Sequence, residues 1–244
     1  HVYERTPYAG ALVFAAFSGS HQDAIAKGMK WREEKGLKEW NVPYIPIDPT
    51  DIGRTYDTDV IRVNSQSGKG GIGFILEQNF GYALPQKMRE HFSYKVKSIS
   101  DKKHSELKPD EILEIFEKFY MNRTEHINVT EAHFAQKDGI TATVTLEVDG
   151  EIVEKTATGN GRLDAVSNAI KQHIGMKYVI EHYSEHSLTH GSNSDAIGYV
   201  GIRAKDGTVA WGAGTDSDII KSGIKALVSA CNQMEEQEKK AKSK

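Results

Sequence analysis

Ser20, His21 and Asp23 stand within four positions of one another in the segment GSHQDAI. Those side chains are the makings of a nucleophilic relay, in which a base takes a hydroxyl proton and a carboxylate orients the base. The members of such a relay converge in space from separated positions, and near neighbours seldom supply all three. The segment reads better as a helix start, with Ser20 as its cap and Asp23 completing a variant of the capping box. His21 then sits in the first turn, either as a surface histidine or as a hydrogen-bonding or acid/base group.

A second candidate is GNGRLDAV, where Gly159, Asn160 and Gly161 separate a strand pattern from a helix pattern. A helix N-terminus presents free N–H groups and the positive end of the helix dipole, which together bind carboxylates. The same residues also suit a tight turn with Asn160 as a cap, and both roles stay open. Gly214, Thr215 and Asp216 occupy the matching place later in the chain. The segment HYSEHSLTH spaces His182, His186 and His190 four apart, as a metal site on a helix would. Its surroundings read as a strand, where residues four apart lie roughly 13 Å from each other, too far to share an ion. We therefore assign no metal ligands. NSQSGKGG resembles a phosphate loop, but Lys69 is followed by Gly70 and the earlier glycine is missing, so the Walker pattern fails.

The elements that must hold these residues follow from periodicity. Ala24, Ile25 and Gly28 continue a helix after Ser20, and WREEKGLKEW is an exposed helix or a loop. Pro43, Pro46 and Pro49 exclude a long helix and predict an extended, docked segment. Residues 60–121 read as helical. Met88, Phe92, Val96 and Ile99 share one face, and Pro109 opens a helix striped with Ile112, Leu113, Phe116, Phe119 and Tyr120.

Beyond residue 125 the pattern changes to strands. HINVTEAHF, GITATVTLEV and EIVEKTAT are followed by a helix striped with Leu163, Val166, Ala169, Ile170 and Ile174. Asp149-Gly150 supplies a hairpin turn. The order then recurs: KYVIEHYSEHSL, SDAIGYVGIRA, TVAWGAG, and a helix with Ile220, Ile224, Leu227 and Cys231 on one face, with Asp206-Gly207 as the second turn. Residues 126–236 thus read as two βββα units sharing a core, with surface left over for a dimer. The class is α+β. The polar tail, residues 237–244, is expected to fray.

Composition sets limits. Lys and Arg number 31 against 34 Asp and Glu, a net charge of −3, which argues against nucleic acid as a partner. No apolar run nears the roughly 18 residues that a membrane span needs. The single cysteine, Cys231, allows no intrachain disulfide and suits a reducing compartment, so we expect a cytoplasmic protein. The sequons at Asn122 and Asn128 have no other sign of secretion beside them. The first residue is His1, and we expect the chain to begin inside something longer.

Three ordered strings, PYAGALVFAAFSGSHQDAI, VPYIPIDPTDIGRTYD and IRVNSQSGKGG, resemble the 2-isopropylmalate synthase family in its long form. Weaker likeness in LPQKMREHFS, GNGRLDAVSNAI, YSEHS and WGAGTDSDII extends over nearly the whole chain. The resemblance implies condensation of acetyl-CoA with 3-methyl-2-oxobutanoate, the first committed step of leucine synthesis, in a TIM barrel that uses a divalent metal (Mg, Mn or Zn). It also implies feedback inhibition by leucine and a homodimer. The barrel's His-x-His segment is not in this sequence, so this chain alone is expected to be inactive and to hold no cofactor. The implied organisation is a barrel remnant at residues 1–10, linker subdomains at 11–66 and 67–125, and a regulatory domain at 126–244.

His21 and Tyr56 match the linker residues that the family extends into the partner subunit's barrel. Asn160, Gly161, Leu163, Asp164, Ile180, Tyr183, Ser187 and Ser194 match the leucine pocket. Amides near Gly161 would hold the carboxylate, and Leu163 and Ile180 the isobutyl group. Asp164, Ser187 and Ser194 stand where the family can carry alanine. A free-standing amino-acid-binding module and the same part of a citramalate synthase are the alternatives. In a synthase part, residues near His21 should face solvent or an empty cleft.

Overall fold

A computed structural model describes residues 2–3, 6–10, 14, 19–54, 69–103, 107–136, 139–189 and 194–242. Tyr56, His190 and most of the ALVFAAF string lie outside the described residues. The chain forms two compact units, residues 1–115 and 116–244.

In the first unit, helix α1 (Gly19–Lys35) buries Ile25 against Phe14, Val42 and Ile45. The helix already includes Gly19, so Ser20 lies in its first turn and is not the cap. Asp23 pairs instead with Lys27 one turn on, at 2.7 Å. WREEK belongs to the same helix, which ends before Gly36 at φ 60°. The proline-rich stretch carries only a short 3-10 helix, Pro49–Ile52, started by Asp48 accepting the Thr50 N–H. Val42, Ile45 and Pro49 are buried, so the segment is docked as its composition demands. Helix α2 (Lys69–Phe80) buries Ile72, Ile75 and Leu76, and helix α3 (Gln86–Lys103) buries Met88, Phe92 and Val96. Helix α4 (Pro109–Tyr120), which begins in the first unit and ends in the second, has Ile112, Phe116 and Tyr120 buried at helical spacing.

The second unit holds the repeat. Strands β1 (Ile127–Gln136), β2 (Ile140–Val148) and β3 (Glu151–Gly159) form one antiparallel sheet, followed by helix α5 (Arg162–Ile174). Strands β4 (Tyr178–Ser187), β5 (Ala196–Ala204) and β6 (Val209–Asp216) form the other, followed by helix α6 (Ile219–Lys242). Asp149 and Gly150 both take positive φ, 49° and 88°, as a two-residue hairpin of right-handed twist requires. In the second hairpin only Gly207 does so, at 89°, so that turn is the longer, bulged kind. Helix α5 packs on β2 and β3, and α6 packs on β5 and β6 and also reaches β1. Val144, Leu146, Val166, Ile170, Val200, Ile202, Leu227 and Cys231 meet in one core, which neither repeat encloses alone.

Two features fix α6. A Cβ on Gly212 would lie 2.1 Å from the Ala226 carbonyl oxygen, so only glycine lets the helix backbone come this close to β6. Asn232 is wholly buried and bonds both backbone groups of Ile127 at the start of β1. The polar tail departs from expectation: α6 runs to Lys242, its last turns carrying Glu235–Lys239 and Glu236–Lys240 pairs one turn apart.

Candidate functional site

The β-strands place the predicted pocket residues through a bulge. In β4, Ile180 pairs with Ile202 and His182 with Gly201, so one extra residue enters between them. Tyr183 then pairs with Val200, and Ser187 with Ala196. Residues directly opposite across a ladder share a face, so Ile180, Tyr183 and Ser187 all lie on the side that α6 covers, although simple alternation would split them. His182 and His186 lie on the opposite face, where their rings meet Trp211 and Tyr199. Tyr183 remains 40% exposed, its ring over Gly223 and its hydroxyl donating to the Glu185 carboxylate. Burial, and then the Glu185 carboxylate, push its phenol well above the usual tyrosine range.

The second patch is the β3–α5 junction. Gly161 is the N-cap, in extended backbone, and contributes no side-chain cap. The first intrahelical bond runs from the Ala165 N–H to the Gly161 carbonyl. The amides of Arg162, Leu163 and Asp164 therefore open out of the helix end with no side-chain cap over them. Asn160 does not cap the helix. Its own N–H donates to the Asp164 carboxylate at 2.9 Å, which closes the turn and sets a negative charge beside the open amides. The matching end of α6 is sealed, because the Asp218 carboxylate accepts the Ile220 and Lys221 N–H groups. Only one of the two repeat-related helix starts can receive a ligand carboxylate through its amides.

Leu163 and Ile180 pack against the same core, which relates the two patches. Among the described residues no hydrogen bond, ion pair or ring contact joins the α5 start to Tyr183. Ser187 pairs with Ala196 at the end of β4, and the Ser194 hydroxyl accepts the Thr189 N–H at 2.8 Å. An open carboxylate-binding helix end, a nearby carboxylate and aliphatic side chains suit an amino acid with an apolar side chain.

His21 is exposed in the first turn of α1, with its ring stacked on Tyr44 at 4.1 Å. Ser20 and Asp23 belong to the same helix, and the Asp23 carboxylate is held by Lys27. One grouping escaped sequence reading. His126, Asp149 and Glu235 bring ligand atoms within 4.8 Å of one another. The Lys239 ammonium lies 2.9 Å from Glu235 and 3.3 Å from the His126 ring, so a cation of the protein's own sits among these groups. Spacing could not disclose a group assembled from three distant segments.

Two sequence families match the chain. The one described as alpha-isopropylmalate synthase, post-catalytic domain-like, covers residues 11–77, and the LeuA allosteric (dimerisation) domain covers residues 106–235. The 2-isopropylmalate synthase of Desulfitobacterium hafniense (strain Y51) is 55% identical over 233 residues, and that of Helicobacter hepaticus is 51% identical over 242. This chain belongs to the 2-isopropylmalate synthase family. Each alignment takes in 96% of this chain but only 42% and 43% of those two relatives, so the chain spans about two-fifths of their length. The allosteric (dimerisation) domain match takes in the βββα repeat up to residue 235 of α6. The described strands form two antiparallel sheets of three, with no parallel barrel among them. No helix among the described residues is long and apolar enough to cross a membrane.

Proposed function

We propose that residues 126–244 are the leucine-sensing domain of a 2-isopropylmalate synthase, carried behind linker subdomains at 11–66 and 67–125. The observation that carries this reading is the open N-terminus of α5 beside Asp164. The leucine carboxylate takes the amides of the first turn, and its ammonium faces Asp164. Leu163 and Ile180 receive the isobutyl group, with Asn160, Gly161, Tyr183, Ser187 and Ser194 around it. Tyr183, still 40% exposed in the single chain, suits a pocket completed when ligand or a second copy covers that face. A homodimer is the assembly we assign, in keeping with the name of the matching domain.

The whole enzyme would condense acetyl-CoA with 3-methyl-2-oxobutanoate in a cytoplasmic, leucine-inhibited step. The divalent metal would belong to the barrel of the full-length enzyme. His21 and Tyr56 would reach the partner subunit's barrel, and the exposure of His21 leaves it available for that. This chain alone would bind leucine without catalysis. Leucine regulates only insofar as it binds one arrangement of linkers and barrels more tightly than another. Calorimetric titration with leucine, against valine and isoleucine, tests the reading. Saturable, leucine-selective heat supports it, and a folded dimer that gives none overturns it.

A further inference from the structure

The repeat places a second cleft at the start of α6, with Arg162 from the first turn of α5 on its rim. Strand β1 carries the same bulge as β4, between Val129 and Glu131. Counting from the bulges, Val129 corresponds to Ile180, Ala132 to Tyr183 and Phe134 to Glu185. Counting from the strand ends at Gly159 and Asp216, Ile220 corresponds to Leu163, and Lys221 to Asp164. Those counterparts line a cavity of about 360 Å³ between β1 and the start of α6.

Its floor is apolar: Val129, Ala132, Phe134, Ile220 and Ile224 all belong to the edge of the core. Its lining carries Glu131, Asp216 and Asp218 against Arg162, Lys221 and Lys225. Asp216 is neutralised by Lys225 at 2.8 Å, and the Asp218 carboxylate is turned to the helix amides, where it keeps its charge. Glu131 pairs with Thr145, on the outer face of the sheet, and lies beside His133 at 3.5 Å. Arg162 lies over the Phe134 ring at 5.6 Å, and among the described residues neither Arg162 nor Lys221 forms a close ion pair, Lys221 acting on Asp216 only from a distance. Polarity is therefore inverted between the two sites. The α5 start offers open amides and an acid, which suits a zwitterion. The cleft offers sealed amides and two cations.

We propose that this cleft is a separate site for a small carboxylate with a branched apolar tail and no ammonium group. The carboxylate lies between Arg162 and Lys221, and the tail rests on Val129, Ala132 and Ile220. The inference stands on the β1–α6 geometry and does not require that leucine bind at α5.

The test uses the whole chain and 4-methylpentanoate, the carbon skeleton of leucine without its amine, followed by calorimetry alone and with leucine present. The expected result is saturable binding that leucine does not displace. Lys221→Glu, an exposed position on α6, should weaken it about tenfold through loss of a charge-assisted contact. Ala132→Leu, which narrows the floor, should weaken it as well, and neither variant should change the leucine titration. Absence of binding overturns the proposal, as does displacement by leucine, or indifference to both substitutions. A chain that ignores leucine but binds 4-methylpentanoate through Lys221 would refute the leucine reading and leave this one standing.

Discussion

Replacing Asn232 with alanine should unfasten α6 from β1, and the size of the effect follows from which bonds are lost. The side-chain oxygen accepts the His126 and Ile127 N–H groups at 2.9 and 3.0 Å. The side-chain nitrogen donates to the carbonyls of Ile127, Val228 and Arg123 at 2.7, 3.0 and 3.1 Å. Asp149 donates its N–H to the His126 carbonyl, so the next pair, Ile127 with Val148, is of the non-hydrogen-bonded kind. Both polar groups of Ile127 thus face the sheet edge, where Asn232 does what a further strand would do. Ile127 is fully buried, so alanine strands two backbone groups away from water. At roughly 1–3 kcal/mol for each buried group left unsatisfied, the loss comes to about 3–4 kcal/mol. His126 and Arg123 are more accessible and add little.

Cys231, the neighbouring residue, is the natural reporter. It is the only cysteine and fully buried, and burial pushes its thiol up to about 12, so labelling needs the unit to open. If labelling follows the opening equilibrium, Asn232→Ala should speed it by a factor of about 10² to 10³. A change below about fivefold, near 1 kcal/mol, would refute the assignment of Asn232 as the edge cap.

Two further outcomes follow from particular contacts. Asp164→Ala should cost about 1 kcal/mol of stability by removing the acceptor for the Asn160 N–H. Asp164→Asn keeps an acceptor there, so a weakening of leucine binding by about tenfold in that variant isolates the charge facing the ammonium, and unaltered affinity would remove that role. Glu236 is held below the ordinary value of 4.5, first by Lys240 and then by Arg123, whose guanidinium lies 2.9 Å away. A carboxyl depressed by folding stabilises the fold above its unfolded value and loses that contribution as pH falls through the folded one. Glu236→Gln should therefore be less stable than the parent at neutral pH, with the gap closing below the ordinary value of 4.5 in urea titrations.

Much of the second unit was legible because its signals are local. Asp149-Gly150, the alternation in ITATVTLEV and the stripe from Leu163 to Ile174 each specify structure within a few residues. The bulges were not, because an extra residue is defined only against the partner strand. That one feature decides which face Tyr183 takes. The difference between the helix starts was half-visible. Asp216 stood in the expected place, but the residue that seals α6 is Asp218, two positions later. The tail's polarity suggests fraying, while the spacing of Glu235, Glu236, Lys239 and Lys240 supports the helix that α6 continues to Lys242. The cleft beside β1 needed both repeats assembled and had no counterpart in any single motif.

Calorimetric titration of the chain with leucine, valine and isoleucine decides whether leucine is sensed at the α5 start. One leucine should bind per chain and be preferred over both controls, with the preference lost when Leu163 and Ile180 are both replaced by alanine. A folded dimer that takes up no leucine, or one that binds it equally well without those two side chains, would contradict that reading.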